Sequence, residues 1–348
     1  MVPIGTGQQH KDLHTNMLSS FRTFFAILKS IGSAALSLDF TTGILDPKIT
    51  FTRSTTGTYV GSNGLIQTAA INAPRFDYDP ATLAMRGLLV EDARTNVILY
   101  SQSFGTSPWV LQNSPTVSTS GTAPDGTSTA TLLTGTTAGG SVYQGFTASA
   151  SIYSTSVYAK AGTSTTIDVS LATSGYGAGI KCIFDLTNGV VGSILTYGGA
   201  GNQNAYIENA GNGWYKCTVV TSCAASTTYY PNFMIPGASS TIYIWGSQTE
   251  IGDTSSSYIP TTTVTVARGT DIAEINSISS FYNPEASTLF FQGIPTATLL
   301  SPLQNCVALH DKSYTGPLSN GAFQNRMNLA RYYLGAGIGV VTAQGNNT

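Results

Sequence analysis

Charged residues are scarce in this sequence, and their scarcity excludes several kinds of binding surface. Asp, Glu, Lys and Arg make up 9% of the 348 residues, whereas roughly 25% is usual in soluble domains. The formal net charge is −2, and no block of like charges occurs. A surface that binds the phosphates of nucleic acid needs clustered Lys and Arg side chains, so we expect no nucleic-acid partner. Low charge also gives little repulsion between copies, which favours assembly.

Cysteine and histidine are also rare. They are Cys182, Cys217, Cys223, Cys306, His10, His14 and His310. No two cysteines have CxxC spacing, and no histidine is near the first three, so we expect neither a zinc site nor a Ser-His-Asp arrangement. We predict free, buried thiols, with a Cys217–Cys223 bridge as the alternative.

Long hydrophobic runs are absent as well. No window approaches the roughly 18 consecutive apolar residues of a membrane span. The short run FFAIL (24–28) has Arg22 and Lys29 beside it and lies too deep in the chain for a signal peptide. We therefore expect no membrane insertion and synthesis in the cytoplasm.

One amphipathic helix is predicted near the start, within residues 1–35. Its apolar residues recur at steps of three and four, with Asp12 as N-cap and Gly32 as the stop. The apolar set is Leu13, Met17, Phe21, Phe24, Phe25, Leu28 and Ile31. Such a helix either packs on the protein's own core or serves in docking and oligomerisation. We favour docking and oligomerisation because the sequence that follows is predicted to be β.

From residue 36 to 100 the period of the apolar pattern changes to two, which predicts a β leader made of hairpins. The turns are expected at Ser-Asn-Gly (62–64) and at Asp79-Pro80. A glycosidase would need a carboxylate pair, and Asp77 and Asp79 are the nearest candidates. The neighbouring Arg75 and Arg86 favour structural ion pairs instead, so we predict no catalytic residues and no enzyme.

Residues 101–262 read as one β-sandwich of the jelly-roll type. Short apolar strands recur every 8 to 15 residues between turn signals such as Asn188-Gly189 and NAGNG (209–213), a pattern typical of sandwiches and barrels. Residues 263–348 are predicted to form a short β-rich C-terminal region. The fold class is therefore all-β apart from the N-terminal helix.

Aromatic side chains are the candidates for ligand binding, because they can stack on the apolar face of a sugar. We select Trp109, Tyr243 and Trp245. The alternative is a structural role, since the strand that carries Tyr243 and Trp245 also carries Ile242 and Ile244, and a strand apolar on both faces is usually covered on both sides. Asp125 is a weak lead for calcium, and we predict no metal and no cofactor.

Several long motifs resemble a family of bacteriophage virion proteins, described as tail-fibre, tail-spike or head-spike proteins. Residues 36–104, which include TFTRSTTGTYV and RGLLVEDARTNVILYS, resemble the leader of that family. The segments FDLTNGVVGS, IENAGNGWYKCTV and IYIWGSQTEIGDTSSSYIPT are similar to the jelly-roll carbohydrate-binding modules within those proteins. Residues 281–293 resemble the opening of a concanavalin-like lectin domain.

The resemblance implies a structural component of the virion, a fibre or spike, that forms a homotrimer. It implies that the N-terminal segment attaches to another virion protein in the capsid, portal or tail, and that the β domains face host surface polysaccharide. The alternative is a purely structural head fibre, decoration protein or adaptor that binds no ligand. A glycan depolymerase is a third, disfavoured alternative because no catalytic carboxylate pair is found.

Overall fold

The structure, a computed structural model, describes residues 34–199 and 201–282, together with the backbone of three strands at 303–310, 326–334 and 337–342. The predicted helix at 13–31 lies outside the described residues. The chain divides into two compact units, Met1–Asp39 with Ser277–Ser287 and Phe40–Asn276 with Thr288–Thr348. The described residues contain no helix that is long and apolar enough to cross a membrane.

The described residues confirm the all-β prediction, since only two 3-10 turns, Phe40–Thr42 and Ser174–Tyr176, interrupt the strands. The leader contains β1 (Thr50–Thr52), β2 (Gly57–Val60), β3 (Ile66–Ala69), β4 (Arg75–Tyr78), β5 (Met85–Leu89) and β6 (Arg94–Asn96). The next thirteen strands are β7 (Val110–Gln112), β8 (Thr116–Thr119), β9 (Thr131–Thr134), β10 (Gly140–Tyr143), β11 (Phe146–Ala148), β12 (Ser151–Ala161), β13 (Thr166–Ala172), β14 (Gly179–Asp185), β15 (Val190–Tyr197), β16 (Asn204–Asn209), β17 (Trp214–Cys223), β18 (Thr227–Ile235) and β19 (Thr241–Ile251). The remaining strands are β20 (Val266–Arg268), β21 (Ile272–Glu274), β22 (Leu303–His310), β23 (Arg326–Leu334) and β24 (Gly337–Thr342).

Strands β7 to β19 form a sandwich of two antiparallel sheets. Sheet I has the order β15-β14-β13-β18-β10-β7, and β11 also pairs with β18. Sheet II has the order β16-β17-β12-β19-β9-β8. The tight connections predicted at 188–189 and 209–213 are confirmed as the β14–β15 and β16–β17 turns.

The leader strands pair with one another and with the segment that follows the sandwich. The hairpins β2–β3 and β4–β5 confirm the turns predicted at 62–64 and at Asp79-Pro80. Strand β6 pairs with β20, and β1 pairs with β21. The leader, which precedes the sandwich in sequence, is thus paired with the segment that follows the sandwich. Further along, β22, β23 and β24 form a separate antiparallel sheet.

The alternation of apolar and polar residues along a strand explains how sheet I faces the core. In β13, Ile167, Val169 and Leu171 are fully buried in the core between the sheets. Asp168 and Ser170 alternate with them and lie on the opposite surface of sheet I, because successive side chains of a strand point to opposite faces. Free, buried thiols are confirmed for Cys182, Cys217 and Cys223, and the alternative bridge between the last two is not formed.

Candidate ligand-binding face

The three tryptophans of the chain are buried, including two that the sequence offered as sugar platforms. Trp109 is 6% exposed, donates its indole N–H to the Tyr100 carbonyl at 3.0 Å, and packs on Phe104 and Phe233. Trp214 donates its indole N–H to the Thr122 carbonyl oxygen. A ring needs an open face to stack on a sugar, and Trp109 has none in this structure.

Trp245 lies in a small aromatic cluster on the outer side of sheet II. It is 1% exposed, its indole N–H donates to Thr129 Oγ1 at 3.0 Å, and its ring centroid is 4.6 Å from that of Tyr258. Both faces of β19 are covered, as predicted, and the cover on this side includes Ala123, Ala130 and Tyr258. Tyr243 packs at the edge of this cluster and stays half-buried. Glycan binding by Tyr243 stays a prediction, whereas burial argues against Trp109 and Trp245.

The leader carboxylates Asp77 and Asp79 form ion pairs with Arg86, as predicted, whereas Arg75 pairs with Glu91 and Asp271 instead. Arg86 contacts Asp79 at 2.9 Å and Asp77 at 3.8 Å. Hydrogen bonds from the backbone N–H groups of Thr82 and Ala81, together with Arg86, lower the pKa of Asp79 to about 2. Burial raises the pKa of Asp77, which accepts a hydrogen bond from the Val60 N–H at 2.8 Å.

Five buried ionic side chains join the leader to the segment after the sandwich, and we name this cluster the ionic junction. Its members are Arg53, Arg75, Glu91, Arg268 and Asp271. Arg53 contacts Asp271 at 3.0 Å, Arg75 contacts Glu91 at 2.8 Å, and Arg75 also hydrogen-bonds Asp271. The junction fixes β4 and the ends of β5 and β20 relative to one another.

Another buried carboxylate, that of Glu250, holds the segment that follows β19. Glu250 is fully buried, and its carboxylate accepts hydrogen bonds from the N–H and hydroxyl of Ser256. Burial raises the pKa of Glu250 more than the Ser256 N–H and the Gln248 side chain lower it. Glu250 is therefore a structural carboxylate at the strand end, and Tyr258 folds back onto Trp245.

The outer surface of sheet I carries a different arrangement, which we name the tyrosine face. Cross-strand pairing aligns Tyr197, Gly179, Ala172 and Tyr230 in one row across β15, β14, β13 and β18. The two tyrosines are three strand spacings apart, about 14 Å. Gly179 and Ala172, which have little or no side chain and are themselves buried, separate the two tyrosines, and we name this row the trough.

Each end of the trough has a second tyrosine. Tyr176, from the 3-10 turn after β13, lies 5.0 Å from Tyr197 between ring centroids. Tyr143 of β10 lies 5.6 Å from Tyr230 in an edge-to-face arrangement. All four rings are half-buried, so each retains surface for contact with a ligand.

A polar row runs beside the trough. Pairing aligns Lys181, Ser170, Asn232 and Tyr143 on neighbouring strands. Lys181 Nζ also contacts Asp168 Oδ2 at 2.7 Å. Burial lowers the pKa of Lys181, but the hydrogen bond with Asp168 and its charge more than offset this, so the pKa is raised.

Two buried acceptors, one in the neighbouring row and one in this row, lack donors among the described residues. They are Asp168 Oδ1 and Asn232 Oδ1. Buried polar atoms almost always have a hydrogen-bond partner, so these two oxygens are the places on this face where a donor is missing. The tyrosine face thus combines aromatic surface with fixed acceptors and one cation.

Sequence reasoning missed this face. The four tyrosines lie in separate segments between residues 143 and 230, and only the strand order brings them together. A usable signal was the polar-apolar alternation in TIDVSLA (166–172), which places Asp168 and Ser170 on a face opposite the core.

The described residues show no group of three or more His, Cys, Asp or Glu side chains that could hold a metal ion. Asp125, the weak calcium lead, instead accepts hydrogen bonds from the N–H and hydroxyl of Thr127 at 3.0 and 2.6 Å. These contacts form a local turn within residues 125–127.

No family model and no curated protein matches the sequence. Among solved structures, the chain is similar to the enzymatically active domain of tailspike protein 4 from bacteriophage CBA120, at 13% identity and a TM-score of 0.29, over 45% of this chain and 21% of that chain. It is also similar to the CBM22-1 xylan-binding domain of Paenibacillus barcinonensis Xyn10C, at 15% identity and a TM-score of 0.31, over 47% of this chain and 99% of that chain. The chain thus spans about a fifth of the tailspike domain. Both TM-scores lie below 0.5, too low to assign a shared fold or ligand.

Proposed function

We propose that this chain is a non-enzymatic structural component of a bacteriophage particle, a fibre or spike protein whose sandwich contacts host surface glycan through the tyrosine face. The particle assignment rests on the sequence resemblance of residues 36–275. The glycan assignment rests on one observation: four half-buried tyrosines lie on one surface of sheet I, beside polar side chains of the same surface.

The chemistry of the face fits a saccharide. The tyrosine rings offer apolar surface to the C–H groups of a sugar, while the partly exposed side chains of Lys181 and Asn232 can form hydrogen bonds with its hydroxyls. We also propose that the two sheets are connected as a jelly roll. The chain would attach to the virion through its N-terminal segment and assemble as a homotrimer. We assign the site no catalytic role and treat Asp168 as a structural partner of Lys181.

The alternative is a purely structural virion protein that binds no ligand. The burial of Trp109, Trp214 and Trp245 favours it, because these rings act as core in this chain. In that case a neighbouring subunit would cover the tyrosine face and supply donors to its acceptors.

A glycan array probed with the full-length chain separates the two. We expect binding to saccharides, and Tyr230→Ala to weaken it about two- to tenfold, because an aromatic contact contributes about 0.5–1.5 kcal/mol beyond the area that it buries. Tyr59→Ala is the matched control, since Tyr59 is also half-buried but lies on β2. Equal binding by Tyr230→Ala and the unaltered chain would refute the tyrosine face as the site.

A further inference from the structure

Three surface turns meet around Pro80, where the leader reaches the sandwich. A methyl group at Gly211 would lie 2.6 Å from the Pro80 carbonyl oxygen, and one at Gly64 would lie 3.1 Å from the same atom. Both glycines have positive φ, +77° and +75°. The β16–β17 and β2–β3 turns therefore approach the β4–β5 turn as closely as glycine alone permits.

An open groove of about 420 Å³ lies between these turns. Its lining includes Asn63, Pro80, Leu83, Asn209, Asn212 and Tyr215. The volume is within the range of small-ligand sites, roughly 300–1,000 Å³. Among the described residues, no Asp, Glu, Lys, Arg or His lines the groove, so an ionic ligand would find no opposite charge there.

Two of the asparagines present amide donors whose orientation is fixed by the turns. Asn209 Oδ1 accepts a hydrogen bond from the Gly211 N–H at 2.9 Å. Asn63 Oδ1 accepts from the Leu65 N–H at 3.1 Å and from Gln67 Nε2 at 3.2 Å. With each oxygen occupied, the Nδ2 group of each side chain is left to donate to a ligand oxygen.

Apolar surface lies beside these donors. Tyr215 is half-buried and packs against Gly189 on one side. Leu83 is 49% exposed and has a φ of +59°, a backbone region that is strained for leucine and that recurs at binding sites. The groove thus offers amide donors, an aromatic ring and an aliphatic side chain without any net charge.

We infer that this groove is a second binding site, specific for a neutral saccharide. The amide donors match hydroxyl and ring oxygens, and the ring and Leu83 match the C–H surface of a sugar. The site rests on the proposed contact with glycan, but it is built from turns and lies apart from the strands that carry the tyrosine face. It exists only while the leader is docked on the sandwich.

A glycan array of neutral and acidic oligosaccharides, probed with the full chain and its variants, tests the inference. Asn209→Asp keeps the oxygen that accepts from Gly211 and removes the donor, and we expect about tenfold weaker binding of neutral oligosaccharides. Ala81→Glu places a larger, charged side chain at the groove and should weaken the same saccharides. Ala225→Glu, an exposed position beyond the far end of β17, is the matched control and should bind as the unaltered chain does.

The outcomes separate the groove from the tyrosine face. Loss of neutral saccharides in both groove variants, with Ala225→Glu unchanged, supports the inference. Saccharides lost in Tyr230→Ala but retained in both groove variants overturn it and leave the proposed function standing. An array that is blank for the unaltered chain overturns the groove and the glycan contact together, while the chain's presence in purified particles tests the virion role separately.

Discussion

The ionic junction predicts that one isosteric substitution will loosen the leader. Asp271→Asn removes the carboxylate that Arg53 and Arg75 share and that also accepts the Glu91 N–H at 2.9 Å. The three arginines of the junction would then face one carboxylate instead of two. They stay buried, so their desolvation is no longer compensated.

The expected loss of stability is large. Removing one partner of a buried ion pair costs about 3–5 kcal/mol. For a domain of this size, each kcal/mol lowers the Tm by about 2–4 °C, so a shift of roughly 6–20 °C is expected. The measurement is denaturant and thermal unfolding of the variant, followed by circular dichroism and tryptophan fluorescence.

A partly exposed pair provides the control. Asp46→Asn breaks the contact of Asp46 with Lys48, 3.6 Å long with Lys48 half exposed, and we expect a change below about 1 kcal/mol. If Asp271→Asn costs no more than Asp46→Asn, the junction does not hold the leader in place.

Four further predictions follow from the described contacts and from the sequence. Trp245→Ala should lower the free energy of unfolding by about 3–5 kcal/mol while the folded protein keeps its glycan affinity; a loss of affinity alone would contradict the structural role. Gly211→Ala should destabilise the chain more than Gly199→Ala, because both have positive φ but an added methyl group meets Pro80 only at 211; equal thermal shifts would refute the close approach. Because the folded-state pKa of Glu250 is raised, the stability of the unaltered chain relative to Glu250→Gln should rise as the pH is lowered from 7 towards the ordinary glutamate range, and a flat difference in denaturant unfolding would contradict this sign. Deleting residues 1–32 should leave a folded sandwich that no longer enters particles, and incorporation of the truncated chain would exclude the helix as the attachment segment.

Local sequence signals predicted the sandwich and its turns well. Gly189, Gly211 and Gly213 all adopt positive φ, a conformation that glycine reaches more readily than other residues, so these turns could be placed from sequence. Apolar residues at successive positions of TIYIWGSQTE predicted a strand covered on both faces, and Ile242 and Trp245 are both buried. These features depend on neighbours along the chain.

Long-range pairing could not be predicted in the same way. The partners of Arg75 are Glu91 and Asp271, the latter 196 residues away, and nothing local indicates that contact. The tyrosine face likewise depends on β13 lying between β14 and β18. Sequence reasoning selected the conspicuous Trp109 and Trp245, which are buried, and did not single out Tyr143 and Tyr230.

The most direct test of the central claim is fluorine NMR of the full chain labelled with 3-fluorotyrosine and titrated with host surface polysaccharide. Tyr→Phe variants assign the signals. We expect the resonances of Tyr143, Tyr176, Tyr197 and Tyr230 to shift together, and those of the buried Tyr158 and Tyr258 to stay in place. Saturating polysaccharide that leaves the four face resonances unmoved would contradict the proposal that this surface binds glycan.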